Sequence, residues 1–187
     1  NYRLASTGGW MATNNPFNTW AGSYTNITYI NLFLTIVDKV EWSNRSDWQN
    51  EHYKERLTAE AYGLRAFYQF RLLQAHAGYD ESGNLLGYPI AAGLITVNDD
   101  WRSYPRASFD DCVNQILSDL DIAIAGLPDV YADAPNDNTI KADYDKVYGS
   151  RFLNRINRRA AQMIKARVLL LAASPAFNPA NDLSKWE

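Results

Sequence analysis

Cysteine and histidine are almost missing from this sequence. Cys112 is the only cysteine among 187 residues, and His52 and His76 are the only histidines. A disulfide within the chain and a zinc site built on several cysteines are therefore excluded. The two histidines fall at opposite ends of one predicted helix, too far apart to share a metal ion directly. Cys112 falls on the apolar face of another predicted helix, which favours a small buried side chain.

Long apolar runs and a strong net charge are also missing. No run of about 18 apolar residues, the length expected of a membrane-spanning helix, occurs, and no secretory signal peptide is present. The formal net charge is −3 and the pI is about 5.4, which argues against a general nucleic-acid-binding protein. Four basic residues near the C-terminus are accordingly interpreted as a solvated or ion-paired face: Arg151, Arg155, Arg158 and Arg159.

Catalytic and metal-binding motifs are missing as well. There is no glycine-rich phosphate loop and no Ser or Cys nucleophile in a recognisable catalytic setting. The acidic pairs at 99–100 and 110–111 are adjacent in sequence, whereas glycosidase carboxylates face each other across about 5–9.5 Å. The acidic loop at 129–145 does not follow the order of a calcium loop. We expect no enzyme activity, no metal and no cofactor, with a structural calcium ion as an open alternative.

The sequence does have many aromatic residues, 13% of the chain, and a helix with two apolar faces. Residues 59–73, AEAYGLRAFYQFRLL, keep helical spacing, at about 100° per residue. Two roughly opposite stripes result, one with Leu64, Tyr68 and Leu72 and the other with Phe67, Phe70 and Leu73. A helix that is apolar on two faces must be covered on both. We therefore predict that this helix is sandwiched between neighbours.

The rest of the chain is predicted to be helices joined by polar loops. Ser108 is expected to cap a helix with Asp110 and Asp111 in its first turn, and Asn157 to cap the last helix. The first and last helices are also apolar on more than one side, so we expect them to be largely buried. The predicted elements are a helix over about 17–40, a connection at 43–51, a helix to about 77, a turn-rich loop at 78–89, an extended piece at 94–97, a helix over about 108–126, a long polar loop at 128–156 and a helix over about 157–173. The predicted fold is all-α, with stacked helical hairpins.

Three segments carry motifs of a known family. Residues 59–72 are similar to the pattern AEA-x-x-LRA-F-Y-Y-F-x-L. Residues 106–128 begin RASFDDC, end in LP and are similar to R-x-S-x-x-E-x-x-x-x-I-x-x-DL-x-x-A-x-x-LP. Residues 155–175 contain KARVLLL and AASP, as in the family's ARV-L-L-Y-AASP. Together, in this order, they resemble the SusD/RagB family of Bacteroidetes outer-membrane nutrient-binding lipoproteins.

The resemblance implies a scaffold of tetratricopeptide-like helical hairpins with long loops. Such proteins are lipid-anchored at the outer surface of the cell outer membrane and sit as a lid on a SusC-like TonB-dependent transporter. They capture oligosaccharides or, in some cases, peptides. Family chains are typically far longer, so residues 1–187 are expected to be the N-terminal portion of a single SusD-like domain, with its C-terminal part and the lipid-bearing cysteine absent.

Candidate ligand contacts follow from the same resemblance. In the family they often come from loops flanking the first long helix, here residues 8–20. Trp10 is a candidate for stacking on a sugar ring, and Asn14 and Asn15 have amides that both donate and accept, which suits neighbouring hydroxyls. The alternative for the two asparagines is a simple turn. Trp42 and Trp48 compete with them, with covering a hairpin end or contacting the transporter as alternatives.

The sequence therefore predicts a non-enzymatic glycan-binding protein with a glycan and a SusC-like transporter as partners, and no nucleic acid. Two alternatives stay open. The same scaffold could take peptides or another nutrient, or the chain could be a helical-repeat interaction module with no small ligand. An exposed aromatic platform beside polar amides would favour the glycan.

Overall fold

The computed structural model describes residues 6–9, 11, 15, 17–96, 98–136 and 139–186, with only the backbone of Trp101 and Trp186. Helices dominate this part of the chain, as predicted. The α-helices from Trp20 onward are α1 (Trp20–Ile36), α2 (Asp47–His76), α3 (Phe109–Gly126), α4 (Lys141–Tyr148) and α5 (Arg158–Ala173). Short 3-10 turns cover Val37–Lys39, Trp101–Ser103, Ser150–Phe152 and Leu183–Trp186. The strands β1 (Gly78–Tyr79) and β2 (Leu85–Leu86) pair as a small antiparallel hairpin.

The long helix α2 is the centre of the fold. Ser46 caps it by accepting a hydrogen bond from the backbone N–H of Gln49. It packs against α1 on one side and α3 on the other, so the prediction of a sandwiched helix is confirmed. A Cβ on Gly63 would lie 3.3 Å from Ala123, and one on Gly126 would lie 2.8 Å from Ala59. The contacts run in opposite directions along the two helices, which makes α2 and α3 an antiparallel pair.

Helix α3 has one buried face, as its sequence spacing predicts. Ser108 accepts a hydrogen bond from the backbone N–H of Asp111, and this confirms the predicted cap. Cys112, Ile116 and Leu120 are fully buried, so the expectation of a buried cysteine is also confirmed. This face of α3 and the facing side of α2 provide most of the core, to which α5 adds Ala161 and Val168.

The outer helices are less buried than we predicted. In α1 the buried residues are Ser23, Ile27 and Asn31, and Tyr29 keeps 67% of its surface exposed. In α5, capped by Asn157 as predicted, Leu170 is 62% exposed. Each of these helices is covered on one side within the described residues, because α1 packs on α2 and α5 packs mainly on α3. The expectation that both are packed on several sides is wrong for this stretch of chain.

The loop predictions need three corrections. The turn-rich loop at 78–89 contains the β1–β2 hairpin, whose turn places Gly83 at φ +82°. The extended piece expected at 94–97 forms no strand over residues 94–96, and Val97 lies outside the described residues. The long polar loop contains α4, which local sequence does not suggest. Its Val147 is fully buried, and Asp143 binds Ser46 and Gln49 at the start of α2, so tertiary contacts stabilise this short helix.

Three polar residues of α2 that lie between the apolar stripes are buried rather than solvated. Arg65 forms a two-bond ion pair with Asp119 of α3. Glu60 accepts hydrogen bonds from Tyr131 and Arg155. The third is Gln69. The helix is therefore covered on more of its circumference than two apolar stripes require.

Candidate functional site

An open groove runs between α1 and the C-terminal half of α2. Two adjoining hollows, of about 480 and 290 Å³, share Thr19 and Arg71 and so form one continuous surface. We call this surface the α1–α2 groove. Its lining residues come from three segments, the chain before α1, the first half of α1 and one face of α2: Asn15, Phe17, Thr19, Gly22, Ser23, Asn26, Phe67, Tyr68, Arg71, Gln74 and Ala75.

Helix spacing explains the α2 wall of the groove. Positions 67, 68, 74 and 75 each lie three or four residues from position 71, so they surround Arg71 on one face of the helix. Phe67 and Tyr68 are half-buried, and their ring centroids are 5.4 Å apart at an angle of 70°. Such an edge-to-face pair offers apolar ring surface of fixed orientation. Gln74 and Arg71 are exposed beside it.

The other wall is built by α1 and the turn that precedes it. The Asn15 side chain accepts a hydrogen bond of 2.9 Å from the backbone N–H of Phe17, and Phe17 is 58% exposed. This is the turn that we gave as the alternative for Asn15, and it holds the residue at the groove edge. The hydroxyl of Thr19 donates to the carbonyl of Arg71, which joins the two walls. Asn26 donates from its amide nitrogen to the carbonyl of Gly22 within α1.

The groove combines ring surface with amide and hydroxyl groups. Asn15, Asn26 and Gln74 contribute amides, Thr19 a hydroxyl and Arg71 a guanidinium. Amides both donate and accept hydrogen bonds, which suits neighbouring hydroxyl groups of a ligand. The described lining residues include no carboxylate, histidine or thiol. The groove can therefore stack on and hydrogen-bond a ligand, and its described lining has no carboxylate or imidazole that could activate the hydroxyls of Thr19 or Ser23.

The five residues predicted as ligand contacts do not all lie together. Asn15 lines the α1–α2 groove, and Trp10 and Asn14 lie outside the described residues. Trp48 lies in the first turn of α2, roughly 35 Å along the helix from Arg71 at 1.5 Å per residue, and Trp42 lies in the chain just before that helix. The sequence thus predicted contacts at both ends of one long helix. Their part in binding stays a prediction.

Trp42 is held by internal contacts. Its indole N–H donates to the carbonyl of Val37 at 3.2 Å, and its backbone N–H donates to Asn50 at 2.7 Å. The ring packs against Phe33 of α1. These contacts fit the alternative that we gave for this residue, which is to cover the end of the α1–α2 hairpin.

Trp48 belongs to an aromatic cluster with His52, Tyr144 and Tyr148. Its ring stacks on His52 with 3.9 Å between centroids, and Tyr148 meets both rings edge-on. All four rings are half-buried, and the cluster docks α4 on the start of α2. Burial raises the pKa of the Tyr148 hydroxyl to about 12, with the nearby Glu55 carboxylate adding to the rise. The cluster therefore combines a structural role with partly accessible ring surface.

Our sequence analysis missed most of the α1–α2 groove. Phe67 and Tyr68 were assigned to stripes that pack on neighbouring helices, and neither Arg71 nor Gln74 was proposed as a contact. The available signal was the pair of apolar stripes on α2, with Phe67 on one stripe and Tyr68 on the other. Which part of each stripe stays open depends on where α1 crosses α2.

Within the described residues, no group of three or more His, Cys, Asp or Glu side chains is placed to hold a metal ion. In the same part of the chain, no helix combines the length and the apolar character needed to cross a bilayer.

The fold and groove define a scaffold of antiparallel helices with an open surface of aromatic and amide groups. The protein family described as "Starch-binding associating with outer membrane", of the SusD-like type, matches residues 5–148. The chain belongs to this family. The resemblance found in the three sequence motifs is therefore confirmed, and so is the all-α SusD-like fold.

Solved structures support the same fold. The chain is 26% identical to a SusD-like protein from Bacteroides fragilis, with a TM-score of 0.58 over 81% of this chain and 23% of that one. It is 27% identical to a putative sugar binding protein from Bacteroides vulgatus, with a TM-score of 0.58 over 84% of this chain and 30% of that one. A laminarin binding SusD-like protein has 22% identity and a TM-score of 0.56, over 89% and 29% of the two chains.

In each of these three matches the aligned region is most of the present chain but less than a third of the solved structure. A comparison with curated proteins finds no match.

Proposed function

We propose that this chain is part of a cell-surface glycan-binding protein that delivers its ligand to a SusC-like TonB-dependent transporter. The observation that carries the proposal is the α1–α2 groove, where the exposed Phe17 ring and the half-buried rings of Phe67 and Tyr68 lie beside amides. Rings of this kind stack on sugar faces, and amides hydrogen-bond sugar hydroxyls. Family membership and the glycan-binding names of similar structures support the same class of ligand.

The proposed role is binding without a chemical step and without a cofactor. The described part of the groove has aromatic, amide, hydroxyl and guanidinium groups, which recognise a ligand without activating a bond. The proposed address is the outer surface of the cell outer membrane, with a lipid anchor on the full-length protein. This address rests on the family description.

Within the groove, Phe67 and Tyr68 are the proposed stacking surface, and Asn15 and Gln74 the proposed hydrogen-bonding groups. Trp10 and Asn14 remain proposed contacts because the chain from them leads directly to Asn15. The proposal for Trp42 and Trp48 is separate, because they lie near the other end of α2.

The test is native affinity electrophoresis of the full-length protein through gels that contain different neutral and acidic polysaccharides. We expect retardation by at least one glycan. Replacing Phe67 by Ala should weaken the affinity for that glycan about tenfold, which corresponds to a loss of about 1.4 kcal/mol of binding free energy. Tyr29→Ala is the matched control, because Tyr29 is an exposed aromatic residue of α1 that does not line the groove. It should leave retardation unchanged.

A comparison with Trp48→Ala decides between the ends of α2. Retardation lost in Phe67→Ala but kept in Trp48→Ala would support the groove, and the reverse would move the site to the aromatic cluster. Trp10→Ala tests the contact predicted from the sequence. Retardation by no polysaccharide would contradict the proposal. A peptide library would then test the second nutrient class, and binding to the co-expressed transporter alone would favour an interaction module.

A further inference from the structure

The α1–α2 groove differs in charge from the chain as a whole. The whole chain has 21 acidic and 18 basic residues, yet the described groove lining has Arg71 and no carboxylate. A separate hollow of about 640 Å³, beside the N-terminal half of α2, is lined by the acidic residues Asp38 and Glu55 as well as by Lys54. The groove is therefore a positively charged part of a weakly acidic protein.

Arg71 has no acidic partner among the described residues. Its neighbours one turn away on α2 are Phe67, Tyr68, Gln74 and Ala75, none of which is charged. Its side chain is exposed and forms no hydrogen bond or ion pair with a described residue, and the bond from Thr19 reaches its backbone carbonyl.

Several other basic side chains of the chain do have such partners. Lys54 pairs with Asp38 at 2.6 Å, Arg65 with Asp119 at 2.7 Å, and Arg158 is 2.9 Å from an oxygen of Asp129. Arg71 differs from these three residues because it has no such partner and lines a groove with half-buried ring surface and amide groups. A guanidinium in this setting is available to an anionic group of a ligand, and it matches a carboxylate with two parallel hydrogen bonds.

The groove continues past Gln74 into a further hollow of about 290 Å³. That hollow is lined by Arg167 of α5, whose guanidinium lies 5.6 Å from the centre of the Phe70 ring. Its described lining also has no carboxylate, and Arg167 forms no ion pair with a described residue. Two basic side chains thus follow one another along the same surface.

We propose that the α1–α2 groove binds an anionic glycan, in which Arg71 pairs with a sugar carboxylate such as that of a uronic acid, while Phe67 and Tyr68 contact the ring. This proposal rests on the proposed glycan-binding function and narrows its ligand class. A sulfate ester presents the same charged oxygens, so the shared chemistry is an oxyanion fixed to a sugar.

The test uses the full-length protein and three kinds of polysaccharide probe. Polygalacturonate, alginate and hyaluronan carry carboxylates, and each has a carboxyl-reduced form with the same backbone but no charge. Dextran sulfate and dextran give the matching sulfated and neutral pair. Affinities are measured by calorimetric titration at low and moderate salt, because screening weakens a charge contact.

We expect at least one carboxylated glycan to bind about tenfold more tightly than its reduced form. Arg71→Gln should remove that difference, and Arg71→Lys should restore part of it, since lysine keeps the charge but not the paired geometry. Arg45→Gln is the matched control. Arg45 is exposed, has no ion pair with a described residue and lies before the N-terminus of α2, far from the groove.

Each outcome has a distinct meaning. An Arg71-dependent preference for dextran sulfate alone would support an oxyanion site and assign it to sulfate. Equal binding of charged and reduced glycans, unchanged by Arg71→Gln, would overturn the inference and leave the glycan-binding function intact. Binding of no glycan of any class would overturn both.

Discussion

Arg65 of α2 and Asp119 of α3 form a buried ion pair with two hydrogen bonds, each 2.7 Å long. Their side chains keep 6% and 2% of their surface exposed. Arg65 also donates to Asn31 of α1 and to the carbonyl of Ala92, so one guanidinium joins three parts of the fold. Burial raises the pKa of the Asp119 carboxyl above its ordinary value, while the hydrogen bonds from Arg65 oppose the rise.

The first prediction concerns this pair. Arg65→Met should lower the free energy of unfolding by about 3–5 kcal/mol, because it leaves the Asp119 carboxylate buried without a counter-ion. Urea denaturation followed by tryptophan fluorescence measures the change. The double variant Arg65→Met with Asp119→Leu should lose less than the single variant, since it removes both buried charges. A double variant that is less stable than Arg65→Met would contradict this account.

The second prediction compares the buried Glu60 with its more exposed partner Arg155. Glu60 and Arg56 are almost fully buried and lie 3.5 Å apart, whereas the Arg155 side chain is 46% exposed. Glu60→Gln should cost about 3 kcal/mol or more, because the Arg56 charge loses its nearest carboxylate in the interior. Arg155→Gln should cost about 1 kcal/mol, because Glu60 keeps Arg56 and Tyr131 as partners. Equal losses in chemical denaturation would show that Arg56 does not depend on Glu60.

The third prediction uses two glycines as a matched pair. A Cβ on Gly126 would lie 2.8 Å from the Ala59 Cβ, which cannot move without shifting α2. Gly126→Ala should therefore destabilise the protein by about 1–3 kcal/mol. A Cβ on Gly22 of α1 meets nothing within 4 Å, so Gly22→Ala should stabilise the helix by up to about 1 kcal/mol. Thermal unfolding of both variants checks the opposite signs, and a shared sign would contradict the close packing of α2 and α3.

The fourth prediction concerns pH. Cys112 has no exposed surface, and burial raises the pKa of its thiol to about 11, above the ordinary 9.0. Above pH 9 the unfolded chain loses this proton while the folded chain keeps it. Stability should therefore fall between about pH 9 and 11 and be unaffected by this thiol at lower pH.

The comparison that isolates the thiol is Cys112→Ala. Its free energy of unfolding should depend less on pH between 9 and 11 than that of the unsubstituted protein, although the variant is less stable overall. Thiol labelling provides a second measurement, with no reaction at pH 8 in the native state and full reaction after denaturation. An equal pH dependence in the two proteins would show that other groups cause the decline.

Local sequence predicted the helices well because their signals are local. The Ser108 and Asn157 caps and the stripe from Cys112 to Leu120 depend on residues within a few turns of one another. The same signals failed for α4, whose segment is polar and acidic. That helix forms where Val147 and Asp143 contact the start of α2, and such contacts involve residues almost a hundred positions apart.

In the candidate site, too, the residues with a local signal were predicted and those that depend on tertiary contacts were missed. Asn15 was predicted because it lies in a loop, whereas Phe67 and Arg71 belong to a helix whose apolar stripes were predicted to pack on neighbouring helices. The two faces of α2 and the family motifs are properties of the sequence itself, and they determine the class of fold. Only the tertiary structure decides which part of each face remains open, because exposure depends on where α1, α3 and α5 cross α2. The groove around the unpaired Arg71 arises from that crossing geometry, since Thr19 on one wall and Arg71 on the other are 52 residues apart in sequence.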